Sequence, residues 1–175
     1  MRVLVAKFAG AVQTLELFFD GGGWPTEHVV SGDSIFGHPA VPGVISVAAI
    51  DANDPDNDDI QLFSSRGPST IFFPSFQSRA TPTLTAIDGV SVTGVGGFSS
   101  PFPGTSAAAP HAAAVAALIL QTRPDDTPAQ VAARMQDTAA DRGTVGFDNT
   151  YGSGLIDALA STPPQKKRRG QITSE

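Results

Sequence analysis

A chain of 175 residues and 18.0 kDa has room for one domain of ordinary size around one hydrophobic core. Hydrophobic residues make up 41% and charged residues 16%, with 18 glycines and 14 prolines, a composition that describes a loop-rich globular protein and excludes a disordered chain or a coiled coil. Residues 1–160 carry 16 acidic against seven basic side chains, so the folded part repels phosphate backbones and nucleic acid is not an expected partner. The absence of cysteine removes disulfides, thiolate nucleophiles and Cys-ligated zinc. The longest apolar run, 112–120, falls well short of the roughly 20 residues that span a bilayer, so a membrane is not an expected partner either. No signal peptide is read at the start, where Lys7 interrupts the apolar stretch and no small-residue cleavage site follows.

Residues 3–8 and 12–19 alternate enough apolar and β-branched positions to predict two strands of a hairpin, closed off by Gly21, Gly22, Gly23 and Pro25. A two-stranded unit is marginal in water, so this hairpin calls for a partner. From Gly32 the texture changes. Residues 44–50 form a near-continuous run of Val, Ile and Ala, the pattern of a strand buried on both faces of a parallel sheet. Five aspartates crowd the loop 51–59 that follows. Residues 60–63, 83–87 and 90–95 are further predicted strands, with a Phe-rich loop between the first two.

The segment 106–121 holds eight alanines plus Val115, Leu118, Ile119 and Leu120, which predicts a helix, and one apolar nearly all round, hence buried. Thr127 followed by Pro128 reads as an N-cap with proline at the first helical position, opening a second helix to about residue 140. A turn and short strand are expected over 151–156 and a short element over 157–160. Residues 161–175, proline-broken and basic at Lys166, Lys167, Arg168 and Arg169, are expected to be a disordered tail.

Chemistry concentrates in Pro103-Gly104-Thr105-Ser106-Ala107-Ala108-Ala109-Pro110-His111. Thr105 is a preferred N-cap type, which would set Ser106 at the first position of the alanine helix. There its hydroxyl meets unpaired backbone N–H groups and the positive end of the helix dipole, the setting that favours a developing oxyanion. Gly104 permits close approach of a substrate chain. The simpler alternative is that Ser106 only helps cap the helix.

The stretch GTSAAAPHAAAVAALIL (104–120) resembles the nucleophile motif of the subtilisin-like serine proteases, the subtilases, in which Gly-Thr-Ser, a variable residue, Ala, a variable residue and Pro-His precede a small-residue helix. GHPAVPGVISVAAID (37–51), FSSRGP (63–68), PTLTAIDGV (82–90), DTAADRG and YGSGLIDALA are similar to further stretches of the family, so residues 33–160, about three quarters of the chain, are covered. Ile87-Asp88-Gly89 departs from the usual Ala-Pro-Gly, as does Arg79-Ala80-Thr81 before Pro82. The resemblance implies an α/β fold of three layers with a mainly parallel sheet, here its C-terminal half, with residues 1–32 as the tail of an inserted β module. It also implies a serine endopeptidase acting on polypeptides and secreted or lodged at the cell envelope. Ser106 would be the nucleophile and its backbone N–H an oxyanion donor, with Gly104 and Thr105 shaping the loop, and His111 would be structural.

The same resemblance implies groups that are missing. The family orders Asp, His and Ser along the chain, with the base in a His-Gly-Thr setting and an oxyanion asparagine before the serine. No His-Gly-Thr occurs here, and His28 and His38 are the histidines upstream of the serine. The implied partner is therefore the upstream half of the same domain, and the rival reading is a non-catalytic remnant or interaction module. Half a core also predicts poor stability for the chain by itself. No cofactor is expected. Asp54, Asp56 and Asp58 alternate as calcium ligands can, but the loop lacks Gly at its sixth and Glu at its twelfth position, so a solvated loop competes with calcium.

Overall fold

The structure is a computed structural model that describes residues 6–12, 14–15, 17–18 and 29–162. Of the expected hairpin, the described positions 6–12, 14–15 and 17–18 hold no strand. They lie largely exposed, and the Phe18 ring stacks on Phe36 at 3.9 Å. The rest of that hairpin, and the tail from 163 onward, lie outside the described residues.

A 3-10 turn at His38–Ala40 leads into β1 (Val47–Asp51), whose three central residues are buried. β2 (Ser69–Ile71) and β3 (Gln77–Arg79) pair antiparallel, a hairpin inside the stretch expected to be a Phe-rich loop. β4 (Leu84–Asp88) pairs parallel with β1, Val47 opposite Leu84 through Asp51 opposite Asp88. Both strands of this parallel pair are buried almost throughout, as their unbroken apolar runs require. The Gly152–Gly154 turn extends the sheet on the other side of β4. Ser153 N–H donates to the Thr83 carbonyl, Thr85 N–H to Gly154 and Ile156 N–H to Thr85, at 3.0, 2.9 and 2.9 Å. A side chain at Gly154 would place its first carbon 2.2 Å from the Ala140 carbonyl oxygen, which is why glycine stands there.

Two expected strands fail. Residues 60–63 contribute one bridge, Ile60 with Ile50. Residues 90–95 contribute a bridge from Val90 to Phe102 and then run into a 3-10 turn at Val95–Gly97. Gly94 and Gly96, at φ of 75° and 77°, turn the chain out of the extended conformation that the valines favour.

The helix α1 (Thr105–Thr122) runs unbroken through Pro110 and packs on β1 and β4. Ala49, Ala86 and Ala108 form one buried cluster, small enough for helix and sheet to approach closely. Leu84, Ala112, Val115 and Ile119 form the main core with Val131 and Met135 of α2 (Pro128–Asp137). Thr127 caps α2 as expected and Gln130 completes the capping box. This helix stops at Asp137, short of the expected end. The chain beyond it is drawn onto the sheet side, where Ala140 and Leu155 exchange backbone bonds of 2.7 and 2.9 Å. The last element, α3 (Ala158–Ser161), is capped by the Asp157 carboxylate. Ser161 belongs to the fold and not to the expected tail, being buried with its hydroxyl 2.8 Å from that of Thr138.

The all-round burial expected of α1 is only half realised. Ala107, Ala108, Ala112, Val115 and Ile119 face the core, whereas Ser106, Ala109, Ala113, Ala117, Leu118 and Leu120 are exposed. Their spacing places Ser106, Ala109, Ala113, Ala117 and Leu120 along one side of the helix. No helix among the described residues is long and apolar enough to cross a membrane.

Candidate active site

Gly104, not Thr105, is the N-cap of α1. Its φ of 104° lies where residues with a Cβ rarely go, so glycine supplies the bend that starts the helix, and Thr105 becomes the first helical residue. No side chain caps this terminus. The Gly104 carbonyl takes the Ala107 N–H at 2.8 Å and the Ala108 N–H at 3.3 Å. The Thr105 and Ser106 N–H groups, first in the helix, have no intrahelical acceptor and find no backbone acceptor among the described residues. Ser106 itself is exposed, and its hydroxyl makes no hydrogen bond among the described residues. The serine therefore does not cap the helix. It presents an unbonded hydroxyl next to two N–H groups without an acceptor among the described residues, at the positive end of an 18-residue helix.

The bend is held from below. Asp88, last residue of β4 and fully buried, accepts the Gly104 N–H on Oδ2 at 2.6 Å. Its Oδ1 accepts the Gln61 side-chain amide at 3.2 Å, and that same nitrogen donates to Asp51 Oδ2 at 3.1 Å. In the second turn of α1, His111 Nδ1 donates to the Ile87 carbonyl at 2.9 Å. Sequence reasoning passed over Asp88 as a loop departure. The signal available was an aspartate closing an otherwise apolar strand just before a glycine, a place where a carboxylate survives only with partners.

His38 lies exposed in its 3-10 turn and His111 is turned to the β4 backbone, so neither is hydrogen-bonded to the Ser106 hydroxyl; His28 lies outside the described residues. In the acidic loop, Asp54 Oδ2 accepts the N–H groups of Asp58 and Asp59, and Asp51 Oδ1 accepts both the backbone N–H and the side-chain amide of Asn53. The Asn53 backbone N–H, and next its side chain, hold the Asp51 carboxyl below the ordinary 3.8. Among the described residues no group of three or more His, Asp or Glu is gathered to hold a metal ion.

A parallel strand pair covered by an alanine-rich helix that exposes Ser106 in its first turn defines an α/β protein. The subtilase family profile matches residues 26–154, and the chain belongs to that family. It is 36% identical over 143 residues to serine protease AprX of Bacillus subtilis, covering 72% of this chain and 32% of that protein. It is 34% identical over 135 residues to subtilisin E of the same species, covering 70% and 35%. Among solved structures, a protease of Pseudoalteromonas arctica superposes with a TM-score of 0.52 at 25% identity, over 75% of this chain and 39% of that one. The chain thus spans about a third of the length of these relatives.

Proposed function

We propose that this chain carries the nucleophile of a serine endopeptidase, with Ser106 attacking the peptide carbonyl. The observation that carries the reading is the exposed, unbonded Ser106 hydroxyl at the start of α1, beside N–H groups with no acceptor. Attack by Oγ on the carbonyl carbon forms a tetrahedral intermediate, and the Ser106 N–H faces the oxygen that becomes negative. The hydroxyl proton passes to a base and then to the departing amine as the C–N bond breaks. Water cleaves the resulting ester, releasing the acid and restoring the hydroxyl. The base, its orienting carboxylate and an oxyanion asparagine are supplied by a preceding part of the domain. The exposed side of α1, Ala109 through Leu120, supports a further part of the domain packing there. Loss of triad members lowers turnover by roughly 10⁴- to 10⁶-fold, so these residues by themselves are nearly inert. The substrate is a polypeptide, and the site of action is outside the cytoplasm or at the envelope, as family membership supports.

The engagement of His111 with Ile87, leaving no described histidine on the serine, favours a second reading: a remnant that keeps the half-fold for binding. A fluorophosphonate probe separates the two. Labelling of Ser106, in this chain or in this chain supplied with the preceding part of a subtilase domain, and its loss in Ser106→Ala, is the expected result. No labelling under either condition would leave only the remnant.

A further inference from the structure

The buried carboxylate of Asp88 has no part in the chemistry above, yet among the described residues it is the side chain that hydrogen-bonds to the bend before the serine. Burying a carboxylate is costly unless it is hydrogen-bonded, and a charge-assisted N–H bond is both shorter and stronger than a neutral one. Asp88 spends one oxygen on the Gly104 N–H at 2.6 Å and the other on Gln61 at 3.2 Å. Gly104 has the conformational freedom that makes a tether useful, since at φ 104° its own backbone does little to select the bend. The neighbouring residue of β4, Ile87, holds the same helix through His111. Two consecutive strand residues thus grip the start of α1, one ahead of Ser106 and one behind it. Ala-Pro-Gly, the usual subtilase sequence at 87–89, has no carboxylate to offer at this point.

We propose that Asp88 is a positioning residue: through the Gly104 N–H it sets the Gly104–Thr105–Ser106 backbone, and so the direction of the Ser106 hydroxyl and N–H. The proposal rests on Ser106 being the nucleophile, and its test has a readout that does not.

In the ¹⁵N-labelled chain, the Gly104 amide proton is expected at low field, moving upfield in Asp88→Asn and furthest in Asp88→Ala. The Ser106 amide should move with it, while the Val47 and Leu84 amides at the far end of the β1–β4 pair stay in place. Gly104 and Ser106 amides that do not respond to Asp88→Asn overturn the proposal. If Asp88→Ala fails to fold, Asp88→Asn decides alone, because it keeps the side chain's shape but removes the charge and has one oxygen for two donors, Gly104 and Gln61, so the Gly104 bond is weakened. With the preceding part of the domain supplied, Asp88→Ala should lower the maximal rate of fluorophosphonate capture by about 10²-fold, as a misplaced nucleophile does. The half-saturating probe concentration should not change, and Asp88→Asn should recover part of the rate. Wild-type capture rates in folded forms of both variants also overturn the proposal. Absence of capture in the unsubstituted protein would remove the nucleophile, and the amide shifts would still decide the role of Asp88.

Discussion

His111 Nδ1 lies 2.9 Å from the carbonyl oxygen of Ile87, which fastens the helix that carries Ser106 to the strand beneath it. The carbonyl can only accept, so Nδ1 is the donor in this bond. His111→Ala leaves that carbonyl without its partner and should cost about 1 kcal/mol in urea unfolding. Probe labelling of Ser106 should persist in this variant. Its complete loss in a folded His111→Ala protein would make the histidine the base.

Gly104→Ala tests the bend directly. A Cβ at this position meets nothing closer than the Ser106 nitrogen at 3.7 Å, so the penalty is conformational and not steric crowding. Holding alanine at positive φ should cost about 1–3 kcal/mol by thermal or urea unfolding. An unchanged melt would show that the bend is not required.

Ile119 and Leu118 are adjacent on α1 and predict opposite outcomes. Ile119 is fully buried among Leu84, Val115, Val131 and Met135, and Ile119→Ala should destabilise by about 2–5 kcal/mol. Leu118 is 45% exposed, and Leu118→Ala should stay within about 0.5 kcal/mol in the chain by itself. When the preceding part of the domain is supplied, substitution on the exposed side of α1, Leu120→Ala at a residue 41% exposed, should weaken its association, read by calorimetric titration. An equal effect of Ile119→Ala and Leu118→Ala on the lone chain would contradict the exposed side of α1.

The Asp51 carboxyl is held below 3.8, first by the Asn53 backbone N–H and then by the Asn53 side chain. A folded value below the unfolded one means that this contribution is present above about pH 4 and is lost as the pH falls through the folded value. Asn53→Ala removes only the side-chain donor, so the Asp51 carboxyl should titrate higher but not fully at the ordinary value. Carbon-13 NMR of the Asp51 carboxyl checks both, and titration above 3.8 in the unsubstituted protein would refute the hydrogen bonding described.

Local chemistry was legible wherever neighbours along the chain decide the conformation. The alanine run over 106–121, the Thr127-Pro128 start, and the apolar runs of β1 and β4 are all short-range patterns, and each became the kind of element expected. The Gly-Thr-Ser motif likewise pointed to the serine. The misreadings share the opposite property. Valines at 90–95 favour a strand locally, but glycines in left-handed conformations and the absence of a sheet neighbour left them outside the sheet. The β2–β3 hairpin hid in a Phe-rich stretch because its pairing depends on partners six to ten residues apart, from Ile71 with Gln77 to Ser69 with Arg79.

What the sequence determined by itself is the family, the helix behind the serine and the parallel pair that supports it. Only the tertiary structure decided that Gly104 makes the cap, that α1 buries one side and exposes the other, and that Asp88 reaches across 16 residues to the bend. Helix and strand preferences act within a few residues. A buried carboxylate instead takes its partners from whatever the packed chain brings within hydrogen-bond reach.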